Sequence, residues 1–176
     1  MKQLFKKCES GVSLIEMIVA MFIIGILAVL ILANYRASQK RQVFTMATQQ
    51  FISDLRKTQN MAISGSGVSG AGYAGYGIYA KNNSASYTIF GDKNNNQKFN
   101  VGNEEIQVVD LPAKVKIASV SPMTNGRINV FFMPPAPTTF INGVPAAGTP
   151  AVFILQTDDV SLSRAIVVTA AGMISD

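Results

Sequence analysis

Polar side chains disappear from the chain between Met17 and Ala33, where the run MIVAMFIIGILAVLILA carries none. Val12, Leu14 and Ile15 extend this run upstream to about 22 residues, enough to cross a hydrocarbon core of ~30 Å as a helix. A helix in a soluble core keeps a polar face, so the pattern predicts a transmembrane helix over 12–33. The period then changes. Phe44, Ala47, Phe51, Leu55, Thr58 and Ala62 recur three or four apart, while Gln49, Gln50, Asp54, Lys57 and Gln59 take the other faces. This predicts an amphipathic helix over 34–63. The two stretches read either as one helix from Val12 to about Ile63 or as two helices broken near Asn34, and Gly25 is a weak point within the first.

Ser64-Gly65-Ser66-Gly67 stops the helical pattern, and the glycine-rich stretch Ser64–Gly77 reads as a mobile loop whose Tyr73 and Tyr76 seed a strand. From there the β-branched and aromatic content predicts strands at Gly77–Ala80, Ser86–Phe90, Glu105–Asp110, Val115–Val120, Ile128–Phe132, Ala151–Gln156 and Ala165–Thr169. The proline- and glycine-rich excursion from Pro134 to Pro150 reads as a surface loop. The predicted fold class is α+β: a long N-terminal helix packed through its Phe44–Ala62 stripe on a small antiparallel sheet or sandwich, with a β-rich head over 64–176.

Composition narrows the function. Of 176 residues only 14% are charged, well below the roughly 25% usual for soluble globular chains, which fits membrane attachment. One cysteine and no histidine exclude an internal disulfide, a zinc site built on Cys and His, and any imidazole base. There is no G-x-S-x-G elbow and no S-x-x-K pair in a suitable setting. Asp158 and Asp159, read as strand neighbours, point to opposite faces and do not form a carboxylate pair. The chain is therefore expected to be no enzyme and to need no cofactor.

The residues ahead of the apolar run, MKQLFKKCESG, contain Lys2, Lys6 and Lys7. A secretory signal peptide has a shorter apolar stretch and a small-residue cleavage site, neither of which occurs here, and Cys8 precedes the run rather than following it as in a lipoprotein. Glu16 stands near the start of the run, where a carboxylate in lipid costs several kcal/mol and usually has a functional reason. Gly11-Val12-Ser13-Leu14-Ile15-Glu16, behind a basic leader and ahead of a long apolar helix, resembles the prepilin peptidase recognition motif of type IV pilins and type II secretion pseudopilins. Val12 and Ser13 replace the family's commoner Phe and Thr, and Ala33 stands where many members carry a proline.

The resemblance implies a leader over 1–11, cleavage between Gly11 and Val12, N-methylation of Val12, recognition through Ser13, Leu14 and Ile15, and a role for Glu16 in setting register during assembly. It implies as partners the prepilin peptidase, other pilin or pseudopilin subunits, an inner-membrane assembly platform and the lipid bilayer. Lys2, Lys6 and Lys7 flank one end of the apolar run and Arg36, Lys40 and Arg41 the other, so charge alone leaves orientation open. The resemblance places the N-terminus inside the bacterial cytoplasmic membrane and the head in the periplasm or outside, in a filament after assembly. A β-rich head, together with YTIFGDKNNNQKFNVGNEEIQV from Tyr87 to Val108, is most similar to GspH/FimT-type minor pseudopilins.

Two further chemistries are suggested by the head. Asp92, Asn94 and Asn96 have the D-x-N-x-N spacing that opens a calcium loop, but Gln97 replaces the glycine expected next and Asn103 holds the closing position, so a solvated hairpin turn is expected. DNA binding, the activity of one branch of the resembling family, is the alternative function. It needs Lys81, Lys93, Lys98, Lys114, Lys116, Arg127 and Arg164 on one face, and only Lys114 and Lys116 read as strand neighbours with a common side.

Overall fold

The structure is a computed structural model that describes residues 11–65, 72–134 and 138–176. The leader residues before Gly11, the middle of the glycine-rich stretch and Pro135–Pro137 lie outside the described residues. The chain divides into two compact units, Met1–Lys40 and Arg41–Asp176. One helix, α1 (Leu14–Ser64), runs unbroken through Gly25 and Asn34, so the one-helix alternative holds. After it come β1 (Gly75–Lys81), β2 (Ser86–Asp92), β3 (Glu105–Asp110), β4 (Val115–Ser121), β5 (Arg127–Met133), β6 (Thr138–Ile141), β7 (Val144–Pro145), β8 (Ala151–Thr157), β9 (Ser163–Val168) and β10 (Ile174–Ser175). The described strands form a six-stranded sheet in the order β3-β2-β1-β5-β6-β7 and a four-stranded sheet in the order β10-β9-β8-β4, with antiparallel pairing throughout.

In the second unit the helical stripe meets both sheets. Phe44, Ala47, Phe51, Leu55, Thr58 and Ala62 are all buried. The two threonines on this face, Thr48 and Thr58, donate their hydroxyls back to the carbonyls of Phe44 (2.9 Å) and Asp54 (2.7 Å), so no polar group is stranded. The Phe51 ring stands edge-on to Tyr87 of β2 at 4.8 Å and to Phe153 of β8 at 5.0 Å. One side chain thus joins the helix to each sheet, in a geometry the ring quadrupole favours. The sheets are also laced directly: Ser84, in the turn after β1, exchanges backbone hydrogen bonds with Ile117 of β4 (2.8 and 3.3 Å).

The two sheets differ in what covers them. β8 alternates buried and half-buried residues, as one covered face requires, whereas β1 and β2 are buried almost without a break. Their inner face, with Ile78 and Ile89, packs in the same core as the helix, and their outer face carries a second cluster of Tyr79, Phe90 and Phe131 joined by Phe99 and Phe140. Gly75 and Gly77 make this possible: a Cβ on Gly77 would come within 2.6 Å of the Phe90 ring and of the Val130 carbonyl oxygen. Gly75 and Gly77, expected at the end of a mobile loop, therefore belong to a central strand, because large rings lie over them.

The surface loop expected over 134–150 also needs correction. Thr138–Ile141 pairs with β5, placing Ile141 opposite Val130 and Phe140 opposite Phe131, and a hairpin turns through Asn142-Gly143 into β7. Both turn residues have positive φ (54° and 80°), the geometry of a two-residue hairpin turn, and Asn-Gly between apolar residues is its sequence signature. Lys114 does not share a strand face with Lys116: it sits at φ 71° in the turn before β4. Asp158 and Asp159 lie in the turn between β8 and β9 and not in a strand.

Two predictions follow from this packing. Gly77→Val should lower the stability of the full chain by about 1–3 kcal/mol through forced displacement of Phe90, read as a lower midpoint in a circular-dichroism melt in detergent. An unchanged midpoint would show that the ring moves freely. The second concerns Tyr87, whose hydroxyl donates to Asp54 Oδ2 at 2.5 Å. Burial first, and then that hydrogen bond and the charge of Asp54, push the phenol well above its ordinary range. Near and above pH ~10 the unfolded chain releases this proton while the folded chain keeps it, so stability is full below that pH and falls as pH rises. Relative to Tyr87→Phe, the native chain should lose up to about 1.4 kcal/mol more per pH unit above pH ~10; parallel profiles would refute this.

Candidate assembly site

The candidate residues from Gly11 to Glu16 straddle the start of α1. Helical structure begins at Leu14, two residues later than the apolar pattern suggested, because Ser13 acts as the N-cap. Its carbonyl accepts the amides of Glu16 (3.1 Å) and Met17 (3.3 Å), and its Oγ accepts the Glu16 amide at 3.3 Å. Ser13 and Glu16 stand at the spacing of a capping box, a local signal that the sequence reading did not use. Glu16 also lies in the first turn, where the positive end of the helix dipole favours an acid. Ser13 and Glu16 therefore define the helix start as well as belonging to the candidate motif.

The surroundings of this first turn are the chemically decisive feature. Val12, Leu14 and Ile15 are 67%, 77% and 71% exposed, and the large apolar side chains onward through Ile31 are about half exposed or more within the unit. Gly25 leaves a notch on the helix surface bordered by Met21, Phe22, Ile26 and Val29. Among the described residues α1 is the helix long and apolar enough to cross a membrane. An apolar surface on every side demands lipid or other helices as its solvent, and in such a medium a carboxylate is stable only beside a cation or a set of donors. Glu16 stands at the edge of this apolar surface, in the first turn of α1.

The second candidate, Asp92-Asn94-Asn96, is organised differently from a cation site. Asp92 is fully buried and its carboxylate accepts the backbone amides of Asn94 (3.1 Å), Asn96 (3.3 Å) and Gln97 (2.7 Å). Glu104, equally buried, accepts those of Lys93 (3.2 Å) and Asn100 (2.8 Å). The side-chain oxygens of Asn94 and Asn96 accept the amides of Asn96 and Lys98. These oxygens tie the loop to itself through N–H donors, and among the described residues no three His, Cys, Asp or Glu side chains are grouped to hold a metal. The solvated turn expected here is instead an inward-tied loop. Its amides have no strand partner, so two buried carboxylates replace one, and Phe99 is delivered onto Tyr79 (4.8 Å) and Phe90 (5.6 Å).

Several of the cations named for DNA binding have local partners. Lys116 pairs with Asp158 at 3.9 Å and Arg164 with Asp176 at 2.8 Å, while Lys93 lies over the Tyr73 ring. Lys98 and Arg127 are brought to one concavity, which spacing in the sequence did not suggest.

Residues 6–32 match the family described as the prokaryotic N-terminal methylation motif. Comparison with curated proteins and with solved structures returns no match. The matched span covers the end of the basic leader, the Gly11–Glu16 motif and almost all of the exposed apolar part of α1. The motif implies association with prepilin peptidase and with other pilin subunits, and points to a structural role. Carrying a prepilin-type methylation motif ahead of one long helix and antiparallel sheets, the chain is supported as a type IV pilin-like or pseudopilin subunit anchored in the inner membrane.

Proposed function

We propose that the chain is a structural subunit, and a minor one of the GspH/FimT type, of a type IV pilus or type II secretion pseudopilus. The observation that carries this reading is the coincidence of the methylation motif with a helix whose first part is exposed and apolar among the described residues. The prepilin peptidase removes the leader after Gly11, and the new amine of Val12 is methylated. The segment 12–33 holds the subunit in the cytoplasmic membrane with the N-terminus inside, 34–63 continues into the head, and 64–176 lies outside until the assembly platform moves the subunit into a filament.

In that filament helices replace lipid around α1. The Val12 amine and the Glu16 carboxylate of a neighbouring subunit neutralise each other in a medium of low dielectric, where their attraction is large and an unpaired charge is penalised. Apolar packing tolerates sliding along a helix; a charge pair does not, and register follows from it.

Two variants test separate steps. Gly11→Val should leave the membrane-bound chain at its full length in cells that contain the peptidase, seen by mass spectrometry of the intact protein; normal shortening would refute the cleavage position. Glu16→Leu should be shortened and inserted as usual yet depleted from sheared filaments or crosslinked pseudopili. Undiminished incorporation would count against the charge pair.

A further inference from the structure

The dipeptide Asn-Gly occurs twice in the head, at Asn125-Gly126 between β4 and β5 and at Asn142-Gly143 between β6 and β7. Both pairs form the tip of a two-residue turn with the same left-handed backbone: φ is 53° and 71° in the first, 54° and 80° in the second. Both asparagines also line one concavity of about 170 Å³ with Lys98 and Arg127, whose lining includes no acid among the described residues. The two sites therefore share their sequence, turn geometry and electrostatic surroundings. Asn-Gly is also the dipeptide in which a backbone nitrogen most readily attacks the preceding side chain, because glycine has no Cβ to obstruct the five-membered ring that forms.

What differs is how the two side chains are held. Asn142 is tied at both ends: its Oδ1 accepts the Asn129 amide (2.9 Å) and its Nδ2 donates to the Pro122 carbonyl (3.0 Å). Asn125 is exposed, and its side chain has no hydrogen-bond partner among the described residues. Its turn is anchored only through the backbone. Thr124 and Arg127 exchange hydrogen bonds (2.9 and 3.1 Å), and the Gly126 carbonyl accepts the Asn82 amide (2.8 Å). The Gly126 amide itself donates to no acceptor among the described residues, which leaves its nitrogen unengaged beside a free side chain.

We propose that Asn125 is a site of spontaneous covalent modification and that Asn142 is its protected counterpart. The Gly126 nitrogen attacks Asn125 Cγ; the new N–Cγ bond forms, the Cγ–Nδ2 bond breaks, and the Gly126 amide proton leaves with the departing nitrogen as ammonia. Water then opens the cyclic imide at either carbonyl to give aspartate or isoaspartate, so no oxidant or reductant is needed. Negative charge develops on Asn125 Oδ1 during the attack, and Lys98 and Arg127 stabilise first this charge and then the product carboxylate. Arg127 also stands opposite Lys81 across the β1–β5 ladder, a like-charge pairing that a new acid at position 125 relieves. The lasting result is a carboxylate in a basic concavity, and it is independent of the filament reading.

The test incubates the purified full chain in detergent in mildly alkaline buffer and follows both asparagines by peptide mapping with mass spectrometry. In the folded chain Asn125 should convert to the acid about tenfold or more faster than Asn142, whose two hydrogen bonds must first be lost. In denaturant the two rates should become similar, because the dipeptide is then all that remains of either site. Lys98→Gln with Arg127→Gln should slow Asn125 in the folded chain about two- to fivefold, the range open to exposed charges. Asn125→Gln should abolish the more acidic form that isoelectric focusing resolves in aged native protein. Equal folded-state rates, a faster Asn142, or a ratio unchanged by denaturant overturns the assignment, and indifference to the double variant overturns the role of the cations. If the double variant does not accumulate, the folded-against-unfolded comparison of the native chain still decides whether Asn125 is the site.

Discussion

The apolar stretch of α1 from Leu14 to Ile31 is left exposed among the described residues of its unit, and this constraint governs the molecule. Each large side chain left in water there forfeits about 1.5–3 kcal/mol, so the segment calls for a second apolar phase around it. The same helix later narrows to a single stripe, Phe44 to Ala62, which is covered inside the second unit. The change from an all-round to a one-sided pattern marks where the helix stops depending on other molecules. Glu16 sits at the dependent end, where a carboxylate is costly without a partner and selective with one.

Within the second unit, the six-stranded sheet has to be dry on both faces while only one helix is available to cover it. The aromatic cluster of Tyr79, Phe90 and Phe131 solves this on the outer face, with Phe99 laid across it by a loop that two buried carboxylates hold in place. Asp92 and Glu104 therefore do structural work through backbone amides, at the positions where sequence spacing first suggested a cation. The same loop brings Lys98 beside Arg127 in one concavity, whose lining includes no acid among the described residues. A device that seals a sheet also creates a basic concavity.

Much of the fold was legible along the chain. The apolar run, the three-and-four spacing of the stripe and most strands follow from local periodicity, because burial on one side imprints period 3.6 or 2 on the residues themselves. The Gly11–Glu16 motif was legible for a different reason: it lies in consecutive residues and needs no partner from the head. What was missed could have been partly recovered. Ser13 and Glu16 have capping-box spacing, and Asn142-Gly143 marks the β6–β7 hairpin inside what read as an irregular loop.

Other features had no local signature. Gly75 and Gly77 look like flexible linker residues until Phe131 and Phe90 are placed over them from distant strands. Asp92 reads as part of a solvated turn until its carboxylate is buried among loop amides. Lys98 and Arg127 are 29 positions apart in sequence and meet only because Phe99 is tied to Asn129. The sequence by itself determined where the chain turns apolar on every side, which residues carry the methylation motif and which helix face is covered, since each depends on neighbours within a turn or a strand. Only the tertiary structure decided which glycines, acids and cations do packing, capping or binding, since those roles depend on groups that the chain brings together from far apart.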